Sequence, residues 1–281
     1  MLSASSIHLE NVSVQFPLYG GSARSLRNRL VSSVTGGRIG SDARSRICVE
    51  ALTGINMRIE HGERVALIGH NGAGKTTLLR VLAGIYVPQG GRIAIKGRIA
   101  PLFDIGLGMD GEASGYDNIR LRGLSLGLSR REIESRIDEI ADFTELGAFL
   151  DMPIRTYSAG MQIRLAFAVS TSVEPDILLL DEGIGAVDST FLEKANARLK
   201  KFVDRAGILV LASHADGLLS ELCTRAIRLE HGRLVDDGPL AQVMRRHRGS
   251  DWPDAETRDR PVRDVEDKDR TGSSPVHYRV A

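Results

Sequence analysis

Cysteine is scarce in this chain of 281 residues, which contains two, Cys48 and Cys223. They lie far apart, and neither belongs to a CxxC pair or to a Cys/His cluster of the kind that binds zinc. The sequence therefore excludes a zinc site built on such a cluster and favours a reduced, cytosolic setting.

Long apolar runs are also lacking. The first ten residues combine neither a basic leader nor an apolar core of signal-peptide length, and later apolar runs end after a few residues. A helix that spans a bilayer needs about 20 apolar residues. We therefore expect neither a signal peptide nor a membrane span.

The sequence also lacks an excess of charge of either sign. Lys and Arg number 37 and Asp and Glu 36, so the formal net charge is +1. This balance demands neither nucleic acid nor an anionic surface as a partner, and we expect no nucleic-acid ligand. Hydrophobic residues make up 42% of the chain, enough for one large globular domain or two modest ones.

Strand and helix patterns alternate along the chain. Apolar and polar residues alternate over Ser6–Phe16, which is typical of a strand with one buried face. The other elements are two strands over Thr53–Ile68 joined at residues 61–63, a strand at Ile177–Leu180, a helix over Ser189–Arg205 and a strand at Ile208–Ala212. This alternation predicts an α/β fold with a parallel sheet.

Two segments interrupt this alternation. Leu18–Arg46 is rich in Gly, Ser and Arg, and we interpret it as an inserted loop that carries one short helix. Over residues 111–150 the pattern becomes helical. Ser129 with Glu132 three residues later predicts the capped start of one helix whose apolar face extends to Ala141.

A glycine-rich turn follows the apolar strand that ends at Ile68. Residues 69–76 match G-x-x-x-x-G-K-[ST] between a strand and a helix predicted over Thr76–Ala83, the context in which this motif binds a nucleoside triphosphate. The predicted nucleotide-binding residues are Gly69, His70, Asn71, Gly72, Ala73, Gly74, Lys75, Thr76 and Thr77. Lys75 would reach the β- and γ-phosphates, and the Thr76 hydroxyl would ligate Mg²⁺. A chance glycine-rich turn is the alternative, which the flanking strand and helix disfavour.

Two acids and a histidine follow other apolar strands. Asp181 and Glu182 end the strand at Ile177–Leu180, and His214 comes after the strand at Ile208–Ala212. The carboxyl ends of parallel strands meet at one sheet edge, so all three would lie beside the glycine-rich turn. Asp181 is then a ligand for Mg²⁺, Glu182 the general base, and His214 a contact to the γ-phosphate. Taken alone, the two acids would be interpreted as a solvent-exposed pair at a strand end, and the histidine as a structural residue.

Residues 157–162, Tyr-Ser-Ala-Gly-Met-Gln, lie between the turn and the acid pair. They resemble the signature motif of ABC transporter nucleotide-binding domains, whose usual form is L-S-G-G-Q. Ser158 and Gly160 are retained, as is the downstream Arg164. Tyr157, Ala159 and Met161 depart from the usual form, with Tyr157 in place of the leucine. The residues alone identify Ser158 as the N-cap of a helix that runs to about residue 172.

The resemblance covers about residues 6–248 and implies a P-loop NTPase fold of the ABC cassette type. That fold has a RecA-like core sheet, an antiparallel β-subdomain and an α-helical subdomain, here at about residues 111–172. The implied domain is 1–248, and the polar residues 249–281 are expected to form a disordered tail. ATP and Mg²⁺ are the implied cofactors, and the implied activity is ATP hydrolysis.

The resemblance also implies a homodimer with two shared nucleotide sites. Ser158 and Gly160 of one copy would face the γ-phosphate bound to the other, and Asp188 would lie at the dimer contact. Phe16 would stack on adenine. Tyr19 is a competitor for that role, and an ordinary strand-end aromatic is the alternative for either.

One departure concerns the glutamine that usually lines the γ-phosphate. Residues 100–106 lack it, and Gln89 lies too early in the chain. We expect Asp104 to take part of its role, including near the metal.

The glutamine-free stretch, the Tyr-Ser-x-Gly-Met form and the insert before the turn resemble ATPase subunits of bacterial polysaccharide exporters of the O-antigen and galactan branch. This resemblance implies two polytopic membrane subunits, a lipid-linked polysaccharide as cargo, and a peripheral position on the cytoplasmic face of the inner membrane. It also implies a gate helix at Ser25–Val34 within the insert. Teichoic acid or another lipid-linked glycan stays open as cargo, and a non-transport ABC ATPase is the alternative from another class.

Overall fold

The computed structural model of the chain describes residues 5–17, 39–41, 47–103, 106, 108–181 and 189–248. The strands of this part are β1 (Ser6–Pro17), β2 (Ile39–Ser41), β3 (Ile47–Glu60), β4 (Arg64–Ile68), β5 (Gly90–Lys96), β6 (Ile99–Leu102), β7 (Ile177–Asp181), β8 (Ile208–Ala212), β9 (Arg225–Glu230) and β10 (Arg233–Pro239). The α-helices are α1 (Lys75–Leu82), α2 (Gly115–Ser125), α3 (Arg130–Glu134), α4 (Ile137–Thr144), α5 (Ala159–Ser170), α6 (Ser189–Arg205), α7 (Asp216–Leu222) and α8 (Leu240–Arg248). Short 3-10 helices cover Gly147–Asp151 and Ile154–Thr156.

The smaller sheet is antiparallel, with the strand order β2-β3-β1-β5. Strand β1 confirms the predicted alternation, because Ile7, Leu9, Val12 and Val14 are all buried. The step of three between Leu9 and Val12 comes from a bulge at Asn11, where the backbone has a φ of 51° and the pairing register with β3 shifts. The extra residue keeps the apolar side chains on one face despite the broken period.

The insert predicted at residues 18–46 contains a strand that the sequence reading missed. Strand β2 pairs antiparallel with the start of β3, with Ile39 opposite Val49 and Ser41 opposite Ile47. Regular structure thus begins before Val49, and the prediction that residues 18–46 form a loop with one short helix was wrong at this end. The pairing occupies backbone groups at the edge of β3 that would otherwise need water. The gate helix predicted at Ser25–Val34 lies outside the described residues.

The larger sheet has the order β10-β9-β4-β8-β7-β6, in which all neighbours are parallel except β10 and β9. Alternate residues of its central strands enter two different cores. Leu67, Leu179 and Val210 pack toward the antiparallel sheet and α1. Ala66, Leu178 and Leu209 pack toward α6, α7 and α8. This burial on both faces explains why β4, β7 and β8 read as continuous apolar runs.

Helices α2 to α5 and the 3-10 helices share a third core, which includes Ile119, Ile140 and Phe167. The capping box predicted at Ser129 is present, with Glu132 bonded back to the Ser129 N–H.

The single helix predicted after Ser129 was wrong, because the chain breaks into α3 and α4. The Ser135 hydroxyl donates to Glu132 O at 2.9 Å, and the N–H of Arg136 bonds to Ile133 O in a tighter 3-10 turn. The Arg136 guanidinium donates to Ser172 O. The Arg136 N–H thus bonds three residues back instead of four, and α3 ends at Glu134.

No helix of the described part is both long and apolar enough to span a bilayer. The tail predicted at residues 249–281 lies outside that part.

Candidate functional site

The loop between β4 and α1 has a backbone that requires glycine at two positions. Gly69 has a φ of 144°, and a Cβ there would lie 2.2 Å from Leu229 O. Gly74 has a φ of 112°, and its Cβ would meet Leu52 Cδ2 at 3.0 Å. At both positions an L side chain would be strained, because φ is positive. At Gly69 it would also collide with the backbone oxygen of Leu229, which cannot move away. The loop is therefore built around its glycines and held close to β9 and β3.

The turn between β9 and β10 supports this loop from outside. The Gly232 N–H donates to Ala73 O at 2.9 Å, and the Thr53 N–H donates to Gly232 O at 2.8 Å. The rings of His70 and His231 lie beside each other, with centroids 4.8 Å apart. Sequence reasoning missed this support, although His231-Gly232 between two alternating segments is a hairpin signal.

Lys75 begins α1, and its side chain is 7% exposed. Its Nζ donates to Gly69 O at 2.7 Å and to His70 O at 3.4 Å, and it lies 3.3 Å from His214 Nε2. An ammonium group has only hydrogens to offer, so His214 Nε2 accepts in this contact. The buried cation and the N-terminus of α1 make this a site that favours an anion.

Asp181 and His214 lie at the same edge of the main sheet. Asp181 is the last residue of β7 and pairs in register with Ala212, the last residue of β8. His214 follows Ala212 by two residues and contacts Lys75. The structure thus brings three of the predicted site residues to one strand edge, where α/β sheets bind ligands.

The donor set at this edge fits Mg²⁺ bound together with a nucleotide. Thr76 is half-buried in the first turn of α1, with Thr77 next to it, and α1 packs against β7, which ends at Asp181. No cluster of three His, Cys, Asp or Glu side chains in the described ranges could hold a metal by itself. Mg²⁺ typically binds through one or two carboxylates plus substrate phosphate oxygens. A hydroxyl and one carboxylate are therefore sufficient protein donors.

Three predicted site residues lie outside the described residues: Glu182, Asp188 and Asp104.

Phe16 lies near the end of β1 and packs edge to face with Tyr86, with ring centroids 5.1 Å apart. Tyr86 in turn accepts a hydrogen bond from Arg80 Nη1 at 3.3 Å. The two aromatic rings form a small partly buried cluster against the core. Tyr86 was not predicted, and Tyr19, the competitor of Phe16 for the adenine, lies outside the described part.

Ser158 is exposed at the N-terminus of α5, where its Oγ accepts from the Met161 N–H at 3.2 Å. Gly160 lies in the first turn of α5, with room for a Cβ, because its nearest neighbour would be Ser158 Oγ at 3.9 Å. Within the described part, no hydrogen bond joins Ser158 to Lys75 or His214. The Ser158 end of α5 is therefore open to solvent in a single copy of the chain.

Tyr157 precedes this helix and is buried at the centre of the helical core. Its hydroxyl donates to Phe149 O at 2.6 Å, and burial raises the pKa of its phenol. A Cβ on Gly115 would lie 2.4 Å from the Tyr157 oxygen. The tyrosine that departs from the usual leucine thus serves packing rather than ligand binding.

Comparisons with known proteins agree with this geometry. A family model described as ABC transporter matches residues 52–185. The O-antigen export system ATP-binding protein RfbE of Yersinia enterocolitica is 47% identical over 83% of this chain and 97% of its own length. The O-antigen export system ATP-binding protein RfbB of Myxococcus xanthus is 40% identical over 81% of this chain, which spans 52% of that protein.

A solved structure of an ATP-binding subunit of an ABC transporter has the same fold. It aligns with a TM-score of 0.61 and 22% identity over 86% of this chain and 92% of its own. The predicted cassette fold, with its parallel core sheet, antiparallel sheet and helical section, is thereby confirmed. The chain belongs to the ABC transporter family.

Proposed function

We propose that the chain is the ATP-hydrolysing subunit of an exporter that moves a lipid-linked polysaccharide of O-antigen or galactan type. The observation that carries this proposal is the meeting of Lys75, Asp181 and His214 at one sheet edge beside the glycine loop. The names of the similar proteins support the polysaccharide cargo.

ATP would bind with its phosphates against the loop N–H groups and the N-terminus of α1. Lys75 would contact the β- and γ-phosphates, and Phe16 would stack on adenine. Thr76 and Asp181 would hold Mg²⁺, whose positive charge would offset the negative charge of the phosphates. Asp104 is proposed to contribute at this edge in place of the missing glutamine.

Hydrolysis would proceed by attack of water on the γ-phosphorus. Glu182 would take the proton of the attacking water, and the bond from the γ-phosphorus to the β-phosphate oxygen would break, which leaves ADP and phosphate. His214 would contact the γ-phosphate and hold the water in line, since its Nε2 already reaches the Lys75 ammonium.

Two copies would share their sites. Ser158 and Gly160 stand at an exposed helix N-terminus that can face an anion on a second copy. Asp188 would lie at the dimer contact. Closure of this dimer would transmit ATP binding to two polytopic membrane subunits at the cytoplasmic face of the membrane.

Co-purification from the native membrane tests this function. The full chain is expected to purify with a multi-span membrane protein, and inverted vesicles that contain both should take up lipid-linked polysaccharide when ATP is added. Uptake of a teichoic acid instead would show that the cargo is a teichoic acid. Recovery of the chain without any membrane protein would favour a non-transport ATPase.

The gate helix is proposed at Ser25–Val34, where Leu26, Leu30 and Val34 recur at one helical turn beside Arg27. Replacing Leu26, Arg27 and Leu30 with alanine is expected to leave ATPase activity of the isolated chain unchanged and to abolish export. The reason is that this stripe would contact the membrane subunit or the phosphates of its lipid substrate. Export and subunit assembly are measured together in cells. Normal export with normal assembly would reduce the segment to a surface loop.

A further inference from the structure

The short segment that carries His214 is held on both sides. Strand β8 ends at Ala212 and α7 begins at Asp216, so three residues connect them. Ser213 is buried, and its Oγ accepts from the Ala215 N–H at 3.0 Å. This bond closes a tight turn around His214. The direction of the imidazole therefore depends on how the turn is anchored.

The anchor on the far side is the last helix of the domain. Arg248 Nη1 lies 2.7 Å from Asp216 Oδ2, and Arg248 Nη2 donates to His214 O at 3.5 Å. The other oxygen of Asp216, Oδ1, is buried without a hydrogen-bond partner among the described residues. Arg248 is thus the side chain that fixes this carboxylate, and it touches the backbone of His214 as well.

The end of α8 also lies within electrostatic reach of the glycine loop. Burial lowers the pKa of His247, and the positive charges of Arg228, Arg248 and Lys75 lower it further, while the negative charge of Glu230 acts in the opposite direction. The charged residues at the end of α8 therefore interact electrostatically with Lys75 at the start of α1.

We propose that Asp216 and Arg248 are positioning residues that hold His214 against the phosphate site. This inference rests on the proposed role of His214 in hydrolysis. The imidazole stands on a turn of three residues, and the ion pair adds a side-chain anchor to the backbone bond from the Leu219 N–H to Ala215 O at the start of α7. A misplacement of 1 Å can cost about 10²-fold in rate, so even a smaller drift of His214 slows turnover.

The same helix offers a matched control. Arg246 makes an ion pair with Asp236 on β10 through two hydrogen bonds, at 2.7 and 2.9 Å, and this pair includes no residue of the His214 turn. Both pairs are partly exposed, with Arg248 at 40% and Arg246 at 51%. Exposed pairs contribute little stability, so Arg248→Gln and Arg246→Gln should both lower the melting temperature by only about 1–2 °C.

The test compares ATPase kinetics of the full chain in wild type, Arg248→Gln, Asp216→Asn, the double variant that combines these two substitutions, and Arg246→Gln. Arg248→Gln and Asp216→Asn are each expected to lower kcat roughly tenfold with little change in KM or in the affinity for ATP. The double variant should lose no more than either single one, because both act through one ion pair. Arg246→Gln should turn over at the wild-type rate.

Equal rates for Arg248→Gln and Arg246→Gln, or a loss in KM alone, would overturn the inference. If Arg248→Gln fails to fold, the comparison of Asp216→Asn with Arg246→Gln decides the question. His214→Ala separates this inference from the proposed function. Loss of turnover in His214→Ala with normal Arg248→Gln refutes the positioning role, whereas normal turnover in His214→Ala refutes the role of His214 itself.

Discussion

Replacing Lys75 with alanine is expected to weaken ATP binding by roughly 30-fold to several thousandfold, the equivalent of about 2–5 kcal/mol. The Lys75 side chain is 7% exposed, and two carbonyl oxygens of the loop orient its ammonium. A preoriented, desolvated cation interacts strongly with phosphate because few waters compete for it. Direct titration of the full chain with a fluorescent ATP analogue measures the loss.

The loop itself should survive this substitution. The two bonds from the Lys75 ammonium to Gly69 O and His70 O are lost, but the glycine backbone and the bond from Gly232 to Ala73 remain to hold its shape. Lys75→Met, which keeps most of the side-chain length, should therefore bind as weakly as Lys75→Ala. Lys194→Ala is the control, since Lys194 pairs with Glu145 at 2.7 Å in another part of the fold. Wild-type affinity in both Lys75 variants would refute the phosphate-binding role of the loop.

The strand edges of the site were predictable because their signals are local. Strands β4, β7 and β8 are apolar runs, and each leads to a site residue. The glycine-rich turn with Lys75 follows β4, Asp181 ends β7, and His214 comes two residues after β8. A parallel sheet then brings the three together without further information, since strand ends align. The cassette fold was predicted for the same reason, with the signature at Ser158 to identify the family.

The supports of the site were not predictable, because they join residues distant in the chain. Three such contacts join residues that become neighbours only when the sheets have assembled. They are Gly232 with Ala73, Tyr86 with Phe16, and Arg248 with Asp216. The break between α3 and α4 is likewise accompanied by a distant contact, since Arg136 bonds to Ser172 O. Helix periodicity continues across that break, so a pattern in one segment cannot reveal it.

Replacing Glu182 with glutamine is expected to lower ATP turnover by about 10²- to 10⁴-fold while ATP still binds. Glu182 follows Asp181 directly in the chain, and Asp181 ends β7 beside the strand that leads to His214. Glutamine has the same shape and keeps a hydrogen-bonding group, but it cannot accept the proton of the attacking water. Steady-state phosphate release and ATP affinity are measured on the same preparation.

Because the bound ATP is not consumed, the Glu182→Gln chain should also accumulate as an ATP-bound dimer. Size-exclusion chromatography with and without ATP detects it. Adding Ser158→Arg to this variant should keep the chain monomeric with ATP still bound, since the arginine would block the N-terminus of α5 that is proposed to face the partner's phosphate. Near-normal turnover in Glu182→Gln would remove it as the general base. A dimer that persists with Ser158→Arg would instead show that the two nucleotide sites are not shared.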